Sequence, residues 1–192
     1  MSSSIDLKAA PDRLLTPRLR LEAPSAVHAQ PFADGLAASM GSLTYVAWGL
    51  RLRDVEWARR FCEDDARSRA EGLDLAFHAF AIADGGWVGR IDVHTIDFKA
   101  ARGEIGYVGH QQRSGQGLMR EATLAVIDLC FALGFERIEA MSDARNARAL
   151  QFAEALGLQR EGVMRRHERD VHGQFCDMVL YAALHPHDAA AA

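Results

Sequence analysis

Between residues 104 and 134 the spacing of hydrophobic residues changes from that of a strand to that of a helix. This change limits the folds that the chain can adopt. Residues 104–109 have the pattern of a short strand, and glycines follow at positions 115 and 117. Apolar residues then recur at spacings of three and four, which predicts one buried helix face: Leu118, Ala122, Ala125, Val126, Leu129 and Leu133. Gly134 is a typical helix end. With a further strand expected at 137–141, the unit predicts a parallel β-α-β crossover.

The rest of the chain predicts antiparallel strands around that crossover. Segments 75–83 and 87–97 flank Asp84-Gly85-Gly86, a hairpin signal because glycine adopts the positive φ that such turns need. The other expected elements are a first strand at 16–22, helices at 25–39, 55–71 and 146–156, and a final hairpin of strands 158–168 and 174–184. We therefore expect a mixed α/β fold. It has a mostly antiparallel twisted sheet of about seven strands with a parallel centre, and about four flanking helices.

Composition narrows the class of protein. The chain has 192 residues, of which 49% are hydrophobic and 25% charged, as in an ordinary globular protein. We expect one domain over residues 1–192, with an ordered core from about 14 to 184 and loose ends outside it. The formal net charge of −4 argues against a nucleic-acid partner, since proteins that bind nucleic acid carry a basic surplus.

Signals for export, membrane insertion and metal binding are missing from the sequence. No window approaches the ~18–20 apolar residues of a membrane span, and residues 1–6 have neither a basic nor an apolar leader region. We expect a cytoplasmic protein without membrane contact. Cys62, Cys130 and Cys176 lie far apart and are odd in number, which predicts reduced and mostly buried thiols. The histidines show no metal-ligand spacing, so no metal site is expected.

The loop at residues 112–117 predicts an anion site. Gly115 and Gly117 allow backbone N–H groups to approach a ligand closely, and the helix that follows offers unpaired donors and the positive end of its dipole. A phosphate or diphosphate fits such a site best. A P-loop would need GxxxxGK[ST], which does not occur. A dinucleotide fingerprint would need glycine at position 120, which is Arg120, within a mostly parallel sheet.

The string Gln112-x-x-Gly115-x-Gly117 resembles the (Arg/Gln)-x-x-Gly-x-(Gly/Ala) acetyl-CoA signature of the GNAT acetyltransferase superfamily. Further segments resemble its RimJ/RimL-type branch in the same order: Leu15–Leu21, Glu104–Gly109, Gly115–Ala122, Leu133–Ile138, Leu156–Gly162 and Gly173-x-x-x-Asp177-x-x-x-Tyr181. The resemblance implies the GNAT fold, in which the fourth and fifth strands splay apart. It also implies an N-acetyltransferase that uses acetyl-CoA as cosubstrate.

The resemblance implies a set of coenzyme-binding residues. The pantetheine arm would lie along the backbone of Tyr107, Val108 and Gly109. The diphosphate would sit on the signature loop and the first turn of the helix: Gln112, Arg113, Ser114, Gly115, Gln116, Gly117, Leu118 and Met119. Asn146 would bond the arm from the other side. Asn146 is equally a plausible N-cap for the next helix, and the two roles are compatible because its amide has a donor and an acceptor.

Glu104 is the expected general base, acting directly or through water, since the family often places a glutamate at the start of this strand. The alternative is that Glu104 pairs across the sheet with Arg90 or Arg102. Asp143 and His110 are weaker candidates that serve equally well as turn residues. No general acid is expected: the family's usual tyrosine and serine are replaced by the alanines at 153 and 149. With a thiol pKa near ~8.5, the thiolate can leave unassisted or take a proton from water.

Acceptor specificity is expected from residues 36–71. Trp48 is the candidate for the acceptor pocket, whereas Trp57 at helical spacing from Phe61 predicts a core position. The run Glu63–Asp65 either attracts a cationic acceptor or forms a solvated helix face.

We expect the acceptor to be the α-amine of a protein N-terminus. A small amine such as a polyamine, an aminoglycoside or an amino-acid-like compound is the alternative within the enzyme class. The missing acids leave a non-catalytic domain that binds acetyl-CoA as a further alternative. A homodimer is also expected, with Val179 and Tyr181 of the last strand facing the partner.

Overall fold

A computed structural model describes residues 5–46 and 54–186. The strands in these ranges are β1 (Arg13–Leu15), β2 (Leu19–Glu22), β3 (Leu75–Ala81), β4 (Trp87–Asp97), β5 (Arg102–Gly109), β6 (Arg137–Asp143), β7 (Gln159–Arg169) and β8 (Phe175–Leu184). The α-helices are α1 (Ala29–Ala37), α2 (Val55–Glu71), α3 (Leu118–Ala132) and α4 (Ala147–Ala155). The mixed α/β prediction is confirmed.

The strands form one sheet in the order β1-β2-β3-β4-β5-β6-β8-β7. Every neighbouring pair is antiparallel except β5 and β6, which run parallel and are joined by α3. Their pairing covers only residues 102–104 with 137–139. The two strands then separate, so the expected splayed parallel centre is present.

The first expected strand is in fact two strands. Arg13–Leu15 pairs with residues 20–22 of β2, and Thr16 turns the chain by donating its backbone N–H to Leu19 O at 3.0 Å. The sheet therefore has eight strands rather than about seven. A strand of three residues is too short to give a readable alternation in the sequence.

The beginning of the described chain is packed, and the expectation of a loose end up to residue 13 is wrong there. Ile5 and Leu7 are buried in the main apolar core, and Asp6 N donates to Leu133 O at 3.2 Å. The docking site is a helix end that lies far away in sequence. Local pattern gives no sign of such a contact.

The helices cover the two faces of the sheet. α1 and α2 pack over one face, where Phe32 and Trp87 belong to a cluster that also takes in Val108 of β5. α3 and α4 cover the other face, where Tyr107 of β5 contacts the ring of Phe152 at 4.8 Å between centroids. Because side chains alternate along a strand, Val108 and its even-numbered neighbours on β5 face α1 and α2.

Several expectations about single residues can be placed on this fold. All three cysteines are buried and free, as expected. Trp57 packs against the cluster of α1 and α2, which confirms its core position, while Trp48 lies outside the described residues. Val179 and Tyr181 are also in the core, at 1% and 2% exposure, so the dimer contact expected of them is wrong. No described helix is both long enough and apolar enough to cross a membrane.

Candidate active site

The loop between β5 and α3 has a conformation that depends on α1 and on two glycines. Gln111 N donates to the buried Ser39 Oγ at 2.9 Å, which ties the loop to the end of α1. Gly115 and Gly117 then adopt φ values of +77° and +73°. Glycine takes this left-handed conformation without the steric cost that a Cβ brings.

The first turn of α3 presents unpaired backbone donors. Glu121 N is the first amide to enter the helix ladder, donating to Gly117 O at 3.0 Å. In the described chain the amides of Leu118, Met119 and Arg120 have no acceptor. These donors lie at the positive end of the helix dipole, so the loop has the geometry of an anion site.

Close packing places this helix end directly on the sheet. A Cβ on Gly109 would lie 2.7 Å from Met119 Cγ, and one on Gly89 would lie 2.2 Å from Met119 Sδ. Both glycines therefore make room for the Met119 side chain. The anion site is held close to the end of β5 as a result.

Arginines surround the loop. Arg18 of the β1–β2 turn donates to Gln116 O at 2.8 Å, and Arg148 of α4 donates to Ser114 Oγ at 2.5 Å. The side chain of Arg113 pairs with Asp84 of the β3–β4 turn at 2.9 Å. Arg18 is also paired with Glu121 at 2.6 Å. Among these three arginines, only Arg148 therefore has a positive charge that no described carboxylate offsets, and this charge favours an anionic ligand.

A cleft of about 480 Å³ runs from this loop between β5 and α4. Ten of the twelve residues expected to bind the coenzyme line it: Tyr107, Val108, Gly109, Arg113, Ser114, Gly115, Gly117, Leu118, Met119 and Asn146. Gln112 and Gln116 do not line the cleft. Asn146 caps α4 by accepting the amide of Ala149 on Oδ1 at 3.2 Å, which confirms its expected N-cap role and leaves its NH₂ group without a partner in the described chain.

A second cavity, of about 670 Å³, lies on the other side of the separation between β5 and β6. Tyr107, Val108, Asn146 and Ala149 line both cavities, so the two meet where the strands are apart. From Ile105 onward β5 is unpaired on this side. Backbone N–H and C=O groups there are available to a ligand.

Glu104 lies at the point where the strands part, as the last residue of β5 that pairs with β6. It lines the second cavity, and its carboxylate forms no hydrogen bond or ion pair with another described residue. Arg102 donates a hydrogen bond to Glu139 at 2.9 Å, and Arg90 donates hydrogen bonds to Asp65 and Asp92. The alternative that Glu104 pairs with either arginine is therefore wrong.

Burial raises the pKa of the Glu104 carboxyl. The charges of Glu168, Glu139 and Asp92 raise that pKa further, and the neighbouring His94 acts in the opposite direction. A carboxylate with a raised pKa and no fixed cation is a better proton acceptor than an ordinary surface glutamate.

A row of charged side chains leads to Glu104 along β4. Arg90, Asp92 and His94 lie on the face of α1 and α2, opposite Val108, Gly106 and Glu104 of β5. The guanidinium of Arg90 is 7% exposed and pairs with Asp65 of α2 at 2.7 Å as well as with Asp92. Asp65 is thus a mostly buried partner with 16% of its side chain exposed, so the solvated face expected for Glu63–Asp65 is wrong at that residue.

The weaker candidates have structural roles. Asp143 accepts the backbone N–H and the guanidinium of Arg145, both at 2.9 Å, and these bonds lower its pKa. His110 accepts the amide of Gln112 on Nδ1 at 3.2 Å, and burial lowers its pKa. Both side chains stabilise turns, which was the alternative considered for each.

Sequence reasoning missed residues that tertiary structure adds. Arg148, which lines the first cleft, and His94 and Arg145, which line the second cavity, were not among the expected site residues. Arg148 had a usable signal, since it follows the predicted helix start at Asn146 by two residues. Arg145 had the same kind of signal, since it directly precedes Asn146 and bonds the nearby Asp143. His94 had none, because its neighbours Glu104, Glu139 and Glu168 come from other strands.

Known proteins with related sequences decide the family. The sequence profile of the acetyltransferase (GNAT) domain matches residues 18–159, which include the loop, the splayed strands and Asn146. The chain belongs to the GNAT acetyltransferase family. It is an N-acetyltransferase.

Relatives and solved structures agree with this family. A curated relative called "Probable N-acetyltransferase YjcK", from Bacillus subtilis, is 29% identical over 146 residues, which is 75% of this chain and 76% of that protein. The microcin C7 self-immunity acetyltransferase MccE, solved with acetyl-CoA and AMP, has a TM-score of 0.83 at 18% identity, covering 93% of this chain and 99% of the other. The ribosomal L7/L12 α-N-protein acetyltransferase RimL, solved with coenzyme A, has a TM-score of 0.80 at 18% identity, covering 89% and 96%. At these identities the solved structures show a common fold.

Proposed function

We propose that this chain transfers the acetyl group of acetyl-CoA to the α-amino group at the N-terminus of a protein. The observation that carries the proposal is the parting of β5 and β6, where the cleft that leads from the anion site meets the cavity containing Glu104. One side of this junction suits a coenzyme with a diphosphate, and the other suits an amine.

The coenzyme would bind mainly through backbone groups. The free amides at the start of α3 and the loop glycines suit the diphosphate. The pantetheine arm would follow the unpaired edge of β5 at Tyr107–Gly109 as an added strand does, with the NH₂ of Asn146 bonding it from α4. Arg148 would add positive charge beside the phosphates.

The reaction would be a direct attack of the amine on the thioester. The acceptor ammonium loses a proton, its nitrogen forms a bond to the acetyl carbon, and the C–S bond then breaks. A backbone N–H near Val108 would stabilise the oxyanion. Glu104 lies four residues from Val108, about 14 Å along the strand at ~3.4 Å per residue. One bridging water does not span that distance, so the proton would reach Glu104 through a chain of waters in the cavity. Ala149 and Ala153 supply no acid, and the thiolate would leave unassisted.

The strength of the base favours an α-amine as acceptor. An α-amino group has a pKa near ~7.7–8 and a lysine side chain one near ~10.4, so a carboxylate base suffices for the first far more readily than for the second. The second cavity is large enough, at about 670 Å³, to receive the end of a chain between Tyr45 and the β7–β8 turn. That RimL is a protein α-N-acetyltransferase with a similar fold supports the same class of acceptor.

Thiol release from acetyl-CoA with a panel of amines tests the proposal. The panel contains lysine-free peptides with a free N-terminus, the same peptides blocked at the N-terminus but carrying a lysine, and small amines such as polyamines. We expect thiol release with the first group at pH 7. Release with small amines alone would overturn the acceptor class, and coenzyme binding without release on any amine would overturn catalysis.

A further inference from the structure

β4 contains an extra residue beside Glu104. His94 pairs with Glu104 and Asp97 pairs with Arg102, so two residues of β4 lie opposite one residue of β5, as in a β-bulge. Thr95 lies in this bulge with a φ of +52°. β-Branched residues rarely adopt that conformation, and such strain persists where the surrounding structure imposes it, often at functional sites.

The bulge orients the ring of His94. Nδ1 of His94 lies 2.8 Å from the hydroxyl of Thr95, and Nε2 lies 3.7 Å from a carboxylate oxygen of Asp92. The ring shares the second cavity with Glu104, and 38% of the side chain is exposed. His94 therefore lies opposite the base and is itself in contact with solvent.

We propose that His94 receives the proton that Glu104 takes from the acceptor ammonium and passes it to solvent. The inference rests on the proposed function in taking Glu104 as the base. His94 acts through Glu104 and is a positioning and relay residue.

The charged groups around Glu104 and His94 favour such a relay. Those that face this pair are Asp92 and Arg90 on β4, Asp65 on α2, Asp74 before β3, Glu139 on β6 and Glu168 on β7. Most members of this set are carboxylates, and those nearest to Glu104 raise its pKa. Glu104 therefore releases a proton to water less readily than an exposed glutamate does. Imidazole is the side chain that exchanges protons most readily near neutral pH, and His94 is the residue directly opposite Glu104.

The proton balance over one turnover is complete. The acceptor ammonium gives one proton to the Glu104 carboxylate, through water, and the amine then forms its bond to the acetyl carbon. Glu104 passes the proton to the imidazole of His94, which becomes an imidazolium and releases it to solvent. The second proton on the acceptor nitrogen passes to water as the amide forms, and the thiolate takes one proton from water.

Replacement of His94 by glutamine tests the relay, because glutamine keeps a polar group beside Thr95 but does not carry a proton. We expect kcat to fall about tenfold or more, with an unchanged KM for acetyl-CoA, and added imidazole buffer to restore part of the loss. His167→Gln is the matched control, since His167 is exposed on β7 and lines neither cavity. Unchanged kcat in His94→Gln would overturn the relay, as would a loss that no buffer restores.

A second set of variants covers the case in which His94→Gln disturbs the bulge. Thr95→Val removes the hydroxyl that orients the ring and keeps the side-chain shape, whereas Thr95→Ser keeps the hydroxyl. We expect the valine variant alone to lose kcat and to respond to buffer; equal kcat in the two variants would contradict the role of the bulge. The measurements use whichever amine the wild-type chain acetylates, so an error in the acceptor class leaves the relay testable.

Discussion

Replacement of Gly117 by aspartate should separate coenzyme binding from folding. Gly117 precedes the free amides of α3 with a φ of +73°, and a Cβ there would have as its nearest neighbour Arg18 Nη2, at 3.5 Å. The side chain therefore has room within the protein. The left-handed conformation costs roughly 1–2 kcal/mol for an ordinary L-residue, with aspartate and asparagine the most tolerant, so the variant should fold.

The effect on the coenzyme is larger and comes from charge. A carboxylate at position 117 would lie about 4–5 Å from a phosphate bound to the first-turn amides. At an effective dielectric constant of about 20, the repulsion of two unit charges at that distance is about 3–4 kcal/mol. Since every ~1.4 kcal/mol changes affinity tenfold, we expect coenzyme A to bind a few hundred-fold more weakly.

Gly117→Asn is the matched control, because it has the same shape and the same backbone cost without the charge. Titration calorimetry with coenzyme A on both variants measures the difference, and thermal melts confirm that both are folded. The difference in coenzyme A affinity between the two variants should become smaller at high salt, because salt screens partly exposed charges. Equal affinity of the aspartate and asparagine variants would refute the assignment of the diphosphate to this loop.

Three further changes test other parts of the site. Glu104→Gln should lower kcat about 10²–10⁴-fold. It should also remove the rise of kcat with pH that we expect in the wild type from ionisation of Glu104. Because the folded state raises the pKa of Glu104, wild-type stability falls as pH rises through that pKa, and the variant should melt higher than wild type at pH 7–8. Asn146→Ala should cost about 1 kcal/mol of stability by removing the N-cap and raise the KM for acetyl-CoA. Asn146→Asp should keep the cap and raise the KM only, and a normal KM in both would exclude Asn146 from coenzyme binding. Arg90→Leu should lower the free energy of unfolding in urea by about 3 kcal/mol, at the lower end for a broken buried pair, because it leaves the partly buried Asp65 and Asp92 without a cation. Lowering the pH should recover part of that loss of stability. Wild-type stability in the variant would contradict the stabilising role of the ion pairs that Arg90 forms with Asp65 and Asp92.

Structural features encoded over short distances were predictable. The glycines at 115 and 117 require a left-handed backbone wherever they lie, and the apolar spacing that follows them requires a helix with one buried face. The hairpin at Asp84–Gly86 was predictable for the same reason. Nine of the expected coenzyme residues line one cleft together, because they belong to β5, the loop and α3, which are consecutive in sequence; the tenth, Asn146, was found through the resemblance.

The features around the base depended on contacts between distant segments. Asp65 had the pattern of a solvated helix residue, yet it pairs with Arg90 because α2 lies over β4. The cross-strand role considered for Glu104 failed because both arginines bind other carboxylates. Helix packing decided the first outcome and strand register the second, and neither is determined by any single segment.

The sequence by itself determined the order of the elements, the anion loop and the resemblance to the family that the profile match established. Each of these follows from local spacing or from a string of residues. Tertiary structure alone decided where β5 and β6 part, that Glu104 stands at that point without a cation, and that a strained bulge brings His94 opposite it. These facts depend on how far two strands pair before their twist and side chains separate them, which is a property of the assembled sheet.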